Sequence, residues 1–422
     1  MEKRIKKFRV VLIILISLLV GYYLGVTRVN FAWKNYVPQI SVVNKEPPAG
    51  ITTVDFSKFW TVWSKIQTTY YDKAKIDPQK MLDGAISGMI GSLNDPYTLY
   101  LPPQQNGDFK DGLAGQFQGI GAELGMSNKQ IIIVAPLSGS PAEKAGIKAG
   151  DAILKVDGKS TAGWDISQAV STIRGPKGTS VVLTIMRKGE ANSRDVSIVR
   201  DIITVKSVDG WVKSVKDISN ITQTDILKNH QGDQIAYIRL SQFGDQTNRD
   251  WVALVNKLTV DTKKENFKGV VLDLRNNPGG YLTDATFIAA EFLNEGTTVV
   301  IQDSGNDKQV LKASRKGMFL ETPLIVLINK GSASASEIVS GATQDWGRAK
   351  LIGETSFGKG TIQQAEDLGD GAGLHITIAK WLTPKERWIH GTGLTPDIAV
   401  SLDANEGSRD NQLEKALEEL VK

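Results

Sequence analysis

The chain has 422 residues, of which 41% are hydrophobic and 23% charged, with three histidines and no cysteine. This length allows two or three domains, the hydrophobic content argues against a disordered chain, and the missing cysteine excludes disulfides, lipoprotein attachment and thiol chemistry. Five of the 50 basic residues and one of the 46 acidic residues lie in the first nine positions, so the net charge of +4 belongs to that end and no nucleic-acid-binding body is expected.

The first 54 residues predict a membrane anchor followed by a tether. Residues 1–9 form a basic end, and residues 10–26 are apolar or nearly so and uncharged, which is the short end of a bilayer span. The basic flank predicts that the N-terminus stays in the cytoplasm and that the remainder is exported to the cell surface or the periplasm. The alternative is a cleaved signal peptide, although no small-residue cleavage motif follows. Residues 27–54 contain three prolines and are typical of a tether.

Residues 55–107 predict a helical region. Apolar residues recur at three- and four-residue spacing from Phe59 to Tyr70, and a second helix starts near Pro78. The sequence DPYT at residues 95–98 ends that second helix. We expect the apolar face of the first helix to pack in the core. The alternative is a partner-binding surface, because a solitary amphipathic helix can dimerise.

Residues 108–205 predict a compact module of short strands and helices. Pro141–Gly146 is typical of a short helix with a glycine stop, and Gly150–Gly158 of a strand that ends in a tight turn. This order resembles a PDZ domain. The resemblance implies a loop whose N–H groups cradle the carboxylate of a bound chain terminus, with an isoleucine lining the side-chain pocket. The residues of this carboxylate-binding loop are Gly119, Ile120, Gly121 and Ala122.

Residues 206–402 alternate apolar strand-like runs with helical segments, which predicts an α/β core around a buried sheet. Residues 403–422 predict a C-terminal helix with a leucine stripe. The expected fold class is therefore a multidomain α/β (α+β) protein. It would combine an N-terminal membrane-spanning helix, a helical segment, a PDZ domain and an α/β core with a mixed sheet.

Ser334 is the candidate nucleophile. It follows an apolar strand at 323–329 and opens a helix, whose backbone N–H groups favour the negative charge that develops during attack. The alternative is a helix cap, because Ser334 and Glu337 match the capping box S-x-x-E. The segment FGKG at 357–360 favours catalysis over capping. Lys359 in that segment is a candidate base if burial lowers its pKa from about 10.4; otherwise it is a lysine in a glycine-rich surface turn.

These two segments resemble the carboxyl-terminal processing, or tail-specific, proteases, which use a Ser-Lys pair. The resemblance implies a serine endopeptidase in which Lys359 takes the Ser334 proton and Gln363 orients the lysine amine. Because the α-carbons of Lys359 and Gln363 would be about 13 Å apart on a straight strand, this role requires a bend. The implied oxyanion donors are the amides of Ala335 and of a glycine, Gly280 or Gly279.

The resemblance also implies partners and regulation. The PDZ-like module would capture protein or peptide substrates with accessible C-termini, and terminal helices would form a homodimer. No metal or organic cofactor is implied. Arg174, after the second helix of the module, is the candidate that couples the module to the active site, and the alternative for it is a solvated helix end. The second class of function is a non-catalytic, membrane-tethered PDZ scaffold.

Two rival sites find little support in the sequence. The three histidines have no metal-ligand spacing, and His390 belongs to an IHG segment that is structural in the family that the chain resembles. Residues 356–359 form an S-x-x-K, as in penicillin-binding proteins, but the S-D-N and K-T-G motifs of those enzymes are missing.

Overall fold

The computed structural model of the protein describes most of the chain from Val54 onward and short parts of the N-terminal end. The described residues are 12–13, 15–18, 29–34, 37–42, 54–127, 130–137, 139–148, 150–164, 166–187, 189–204, 206–259, 265–401 and 409–422. The predicted anchor lies largely outside them, and its few described residues are helical. In the described part of the chain, no helix combines the length and the apolar character needed to cross a bilayer.

The chain divides into two units, Met1–Met81 and Leu82–Lys422. In the predicted tether, strands β1 (Val29–Lys34) and β2 (Val37–Val42) pair antiparallel, since β-branched and aromatic residues favour strands. Helix α1 (Ser57–Thr69) follows. None of its residues is buried, so the expected core packing of this helix is not found. A 3₁₀ turn lies at Lys73–Lys75, and helix α2 covers Pro78–Gly91.

The PDZ-like region is a six-stranded antiparallel sheet with two helices. Strand β3 (Leu99–Leu101) and helix α3 (Pro103–Leu113) precede this region. The elements of the region itself are β4 (Gln116–Gly119), β5 (Ala122–Ser127), β6 (Gln130–Pro136), α4 (Pro141–Lys144), β7 (Ala152–Val156), β8 (Lys159–Ser160), α5 (Ile166–Ile173), β9 (Ser180–Met186), β10 (Arg194–Val199) and β11 (Asp201–Thr204). The strand order is β10-β9-β7-β6-β5 with β8 beside β7, so β5 is an edge strand, and α5 packs beside it. The pair β4 and β11 joins this region to the next.

The remaining chain confirms the predicted mixed sheet. Its elements are β12 (Val208–Ser214), a 3₁₀ turn (Val215–Asp217), α6 (Asp225–Lys228), β13 (Gln234–Leu240), α7 (Thr247–Leu258), β14 (Phe267–Asp273), α8 (Leu282–Ala289), β15 (Thr298–Asp303), β16 (Lys308–Lys312), β17 (Leu324–Ile328), α9 (Ala335–Asp345), β18 (Lys350–Gly353), β19 (Thr361–Gly369), β20 (Ala372–Leu382), β21 (Ile398–Ala399) and α10 (Asn411–Val421). The main sheet has the order β12-β13-β14-β17-β18-β21, antiparallel at β12–β13 and parallel elsewhere. A second sheet, β16-β15-β20-β19, also takes up β3.

Two neighbouring parallel strands position the candidate site. Because β14 and β17 pair in parallel, the glycine turn after β14 and Ser334 after β17 emerge at the same edge of the sheet. All residues of β17 are buried, which fixes this edge in the core. The C-terminal helix α10 packs against β14, β17 and β18 and buries Leu413 and Leu417. This helix is therefore part of the core and not an appended tail.

Candidate active site

Ser334 begins helix α9 in a strained conformation. Its φ is 54° and its ψ is −115°, whereas helix-capping residues normally adopt β-region angles with negative φ. A positive φ is uncommon outside glycine, and such strained backbone costs on the order of 1–3 kcal/mol and clusters at functional sites. The turn from β17 into α9 presents the Ser334 side chain at the edge of the sheet. The strain indicates a role beyond capping.

One buried carboxylate holds both candidate segments. Glu337 is fully buried, and its Oε2 accepts hydrogen bonds from the amides of Ser334 at 2.8 Å and Lys359 at 2.9 Å. Its Oε1 accepts from the Gly358 amide at 2.7 Å and from the Ser356 hydroxyl at 2.5 Å. Glu337 thus joins the start of α9 to the lysine segment. The capping box predicted only the bond to Ser334, since sequence spacing does not show that residues 356–359 pack on the same carboxylate.

Lys359 lies half-buried in the turn before β19. Burial lowers the pKa of its ammonium group, while the negative charges of Asp95 and Glu337 act in the opposite direction. Its Nζ lies 5.1 Å from the centre of the Tyr97 ring. The indole of Trp381 donates to the Lys359 carbonyl at 2.8 Å, which fixes the backbone at this position. Lys359 therefore meets the requirement for burial and is not the lysine of an exposed turn.

Two amides are available beside Ser334. The Gly279 amide donates to the Asn277 side chain at 2.9 Å, so it is already engaged. The Gly280 and Ala335 amides have no acceptor among the described residues. A Cβ on Gly279 would lie 2.8 Å from Ser334 Cβ and 2.9 Å from the Ala335 nitrogen, so the glycine turn directly adjoins the serine. Of the two predicted glycines, Gly280 is the one with a free N–H group.

A cavity of about 570 Å³ collects the predicted residues. Those that line it are Ser334, Ala335, Lys359, Gln363, Gly279 and Gly280. Apolar side chains from several elements complete its walls, namely Leu99, Phe109, Leu113, Leu282, Ile338, Ile362 and Trp381. Helix α3, which precedes the PDZ-like sheet, forms one wall, and Gln242 binds its C-terminal turn through the Gly112 carbonyl. The cavity suits an extended apolar segment beside a hydroxyl nucleophile.

Gln363 lines the cavity but makes no hydrogen bond to Lys359 among the described residues. Its Nε2 donates to Thr361 Oγ1 at 2.9 Å and to Thr377 Oγ1 at 3.1 Å, and the described contacts include no bond to the lysine amine. A shift in strand register between Ile362 and Gln363 supplies a local irregularity in β19. The side-chain oxygen Oε1 of Gln363 accepts no hydrogen bond from the described residues. The predicted orienting bond is thus not formed in this conformation.

The rival sites are not assembled. Ser356 is buried, donates to Glu337 and accepts from the Leu394 amide at 2.7 Å, so the S-x-x-K serine has a structural role. His390 stacks on Trp388 and faces the Gly360 amide, in agreement with a structural role. His375 lines the cavity, which the sequence did not predict, and packs edge-on against Phe109. Among the described residues, no hydrogen-bonded carboxylate completes a triad with it, and no group of three potential metal ligands occurs.

The PDZ-like loop lies apart from the cavity lining. Ile120 is buried in the core of this region, and Gly121 has a φ of 71° and packs against Ser140. The amides of Ile120 and Gly121 have no acceptor among the described residues, as a carboxylate nest requires. The Arg174 guanidinium lies over the Phe117 ring, 4.8 Å from its centre, and the residue is exposed directly after α5, so both the coupling role and the solvated helix end stay open.

Comparison with known proteins assigns three parts of the chain to family models. Peptidase family S41 matches residues 234–400, the PDZ domain model matches residues 132–187, and the model of the activating protease CtpB N-terminal domain matches residues 18–104. The chain is 38% identical to the carboxy-terminal processing protease CtpA of Bacillus subtilis, over 82% of this chain and 69% of that protein. It is 41% identical to a carboxy-terminal-processing protease of Bartonella bacilliformis, over 83% and 76% of the two chains.

A solved structure shares the fold. The crystal structure of a protein from Bacteroides fragilis, described there as an S41 protease, aligns with a TM-score of 0.54 at 16% identity and covers 85% of this chain and 96% of that one. At this level of identity the likeness extends to the architecture alone.

Proposed function

The chain belongs to the family of carboxy-terminal processing proteases, which are serine proteases with a PDZ domain, and we propose that it cleaves peptide bonds through a Ser-Lys acyl-enzyme mechanism. The observation that carries this proposal is the shared anchoring of Ser334 and Lys359 on Glu337, beside the free amides of Gly280 and Ala335. One cavity therefore holds a serine hydroxyl, a half-buried lysine and two N–H groups without acceptors among the described residues.

The proposed first step forms the acyl-enzyme. Neutral Lys359 takes the proton from Ser334 Oγ while that oxygen attacks the substrate carbonyl carbon. The carbonyl oxygen becomes an oxyanion and accepts hydrogen bonds from the Gly280 and Ala335 amides. When the C–N bond breaks, the Lys359 ammonium returns its proton to the leaving amine. Water then attacks the ester with Lys359 as the base, which releases the acid and restores Ser334.

Gln363 is proposed to hold the lysine once it carries a proton. Its Nε2 is fixed by the hydroxyls of Thr361 and Thr377, which leaves Oε1 as an acceptor for an ammonium group. The neutral amine offers fewer donors, so the bond would form as the proton moves. Substitution Gln363→Glu would retain the acceptor but also stabilise the ammonium, and we expect it to shift activity to higher pH.

We propose that the PDZ domain captures substrate C-termini. The edge strand β5 and the free amides of Ile120 and Gly121 support binding of an added strand and its carboxylate. Gln118, which lies on β4 directly before this loop, donates to Asp111 on α3, the helix that forms one wall of the cavity. Through this bond and the contact of Arg174 with Phe117, binding of a C-terminus in the loop would change the position of the cavity wall. The expected consequence is that Arg174→Ala alters peptide cleavage although Arg174 lies outside the cavity.

Membrane anchoring and a homodimer complete the proposal. The uncharged run at 10–26 and its basic flank support an anchor that leaves the protease outside the cytoplasm. Helix α1 supports dimer formation, because Phe59, Trp60 and Val62 are exposed on it. Fractionation of cells that express the full chain, followed by protease protection of the intact cells, would test the location. Sedimentation of the detergent-solubilised chain would test the dimer.

The mechanism is tested with the full chain and its Ser334→Ala and Lys359→Ala variants. Each is incubated with an unstructured protein that ends in apolar residues, and the products are identified by mass spectrometry. We expect cleavage by the unchanged chain alone. A chain that acts only as a PDZ scaffold would bind the substrate and leave it intact. Cleavage by the Ser334→Ala variant would contradict the nucleophile assignment.

A further inference from the structure

Tyr97 places an aromatic face against the lysine amine. Its ring centre is 5.1 Å from Lys359 Nζ, within the range of a cation–π contact, and the ring lines the active-site cavity. Tyr97 belongs to the DPYT segment, which the sequence identified only as the end of a helix. This segment precedes the PDZ domain, more than 200 residues before the catalytic serine. The ring is half-buried, so the contact is partly shielded from water.

The ring is fixed without the help of the lysine. Asp95 accepts hydrogen bonds from the Tyr97 amide at 3.0 Å and from the Thr98 hydroxyl at 2.6 Å. Thr98 Oγ1 in turn accepts from the Thr377 amide at 3.1 Å, and strand β3 continues this attachment to β20. The Tyr97 ring also meets His390 edge to face at 5.8 Å. The aromatic face is therefore in position before any proton moves.

We propose that Tyr97 is a positioning residue that holds Lys359 during proton transfer, an inference that rests on the proposed role of Lys359 as the base. The amine is neutral before attack and becomes an ammonium when it takes the Ser334 proton. The face of an aromatic ring attracts a charged ammonium group much more strongly than a neutral amine. Because the contact strengthens as the transition state forms, it accelerates acylation and does not merely bind the resting enzyme.

Other charges also surround the amine, and the test must leave them unchanged. Asp95 and Glu337 favour the charged lysine, and the pKa of His375 is lowered first by burial and then by the charge of Lys359. Besides Tyr97 itself, the titratable groups that line the cavity or interact with the amine or the ring are Asp95, Asp108, Tyr281, Glu337, His375 and His390. None of them is altered when Tyr97 is replaced by another uncharged residue.

The test is the pH profile of kcat/KM for a fluorogenic peptide in Tyr97→Phe and Tyr97→Leu. Loss of the aromatic face favours the neutral amine. In the Leu variant the rise of kcat/KM on the acid side should therefore occur at a pH lower by roughly 0.5 to 1 unit, and the maximal kcat/KM should be about fivefold lower. The Phe variant keeps the face and should match the unchanged chain within about twofold. Equal behaviour of the two variants, or an unmoved limb in the Leu variant, would overturn the inference.

Two further measurements keep the result decisive. If the Leu variant does not fold, increasingly fluorinated phenylalanines at position 97 keep the shape of the ring and remove its negative face. A maximal kcat/KM that does not fall with fluorination contradicts the proposal.

The Lys359→Ala variant separates this inference from the mechanism. Full activity of that variant would contradict Lys359 as the base. An inactive Lys359→Ala beside an unchanged Tyr97→Leu profile would remove only the role of Tyr97.

Discussion

Ser334 and Lys359 are 25 positions apart in the chain, yet their amides donate to the same oxygen, Oε2 of Glu337, at 2.8 and 2.9 Å. This common acceptor fixes the backbone of both residues relative to each other. A nucleophile and a base must keep a near-attack geometry, because small displacements cost large factors in rate. The buried carboxylate is therefore as much a part of the site as the two residues it joins.

Substitution Glu337→Gln should abolish most of the activity and destabilise the fold. The Glu337 carboxylate accepts hydrogen bonds from three backbone N–H groups and one hydroxyl. A glutamine side chain has only one acceptor oxygen, so some of these buried donors would lose their partner. We expect kcat/KM to fall at least about 100-fold and the free energy of unfolding by about 3 kcal/mol. Peptide cleavage and chemical denaturation measure the two effects.

The matched control for this prediction is Glu291→Gln. Glu291 is also a buried carboxylate, bonded to Trp251 and Arg315, and it does not line the cavity. It should lose comparable stability but keep the activity of the folded fraction. If both variants lost activity only in proportion to unfolding, Glu337 would be a structural residue without a role in the geometry of the site.

The glycine turn tolerates no side chain at position 280. A Cβ on Gly280 would lie 1.7 Å from the Phe243 carbonyl oxygen, and its φ of 140° disfavours other residues. We expect Gly280→Ala to displace the free amide and to reduce kcat at least about 100-fold, as loss of an oxyanion donor does. Gly296→Ala is the control, since Gly296 also has a positive φ but has open space around it. A near-normal kcat in Gly280→Ala would assign the oxyanion site elsewhere.

Burial of Lys359 should appear in the pH dependence of both rate and stability. Because burial lowers its pKa, the activity should rise with pH, and the midpoint of this rise should lie below the ordinary lysine pKa of about 10.4. Lys359→Arg should be inactive over that range, because guanidinium keeps its proton. An arginine variant with normal activity would exclude a neutral base at this position.

The stability effect has the same origin. The unfolded chain binds a proton that the folded chain holds less firmly, so stability rises with pH between the folded and the unfolded pKa. Each unit of lowering costs about 1.4 kcal/mol below that window. Lys359→Met removes this cost and should raise the thermal unfolding midpoint at neutral pH while it abolishes cleavage. Calorimetry at two pH values checks the prediction, and a lowered midpoint would contradict it.

The PDZ loop gives a prediction about substrate ends. A Cβ on Gly121 would lie 2.5 Å from Ser140 Cβ, so Gly121→Ala should distort the loop that carries the free amides. We expect the variant to lose the preference for a peptide with a free C-terminus over the same peptide with an amidated end. Gly158→Ala, at an unobstructed glycine of positive φ, should keep it. Competition cleavage of the two peptides, followed by mass spectrometry, measures the preference.

Local sequence was sufficient to select Ser334 and Lys359 as candidates and to place the PDZ-like and α/β parts in order along the chain. The strand before Ser334, the glycines beside Lys359 and the PDZ-like strings involve neighbours in the chain, and side-chain period and turn chemistry act over such short distances. The local signal at Ser334 alone fits a helix cap equally well, and the sequence favours a catalytic serine only through the FGKG segment downstream. The positive φ of Ser334, which favours the catalytic interpretation, depends on how β17 meets α9.

Contacts between distant residues were decided only by the tertiary structure. The sequence by itself determined which residue types could perform acyl transfer in a chain without cysteine, and which stretches would form the PDZ-like module and the α/β core. It did not reveal that Glu337 binds two segments, that Tyr97 faces Lys359, or that Gln363 is held by threonine hydroxyls. The parallel strands β14 and β17 bring the glycine turn and Ser334 to one edge of the sheet, whereas the contacts of Gln363 and Tyr97 depend on the antiparallel pairing of β20 with β19 and β3. The spacing of residues along a chain does not show which strands will pair.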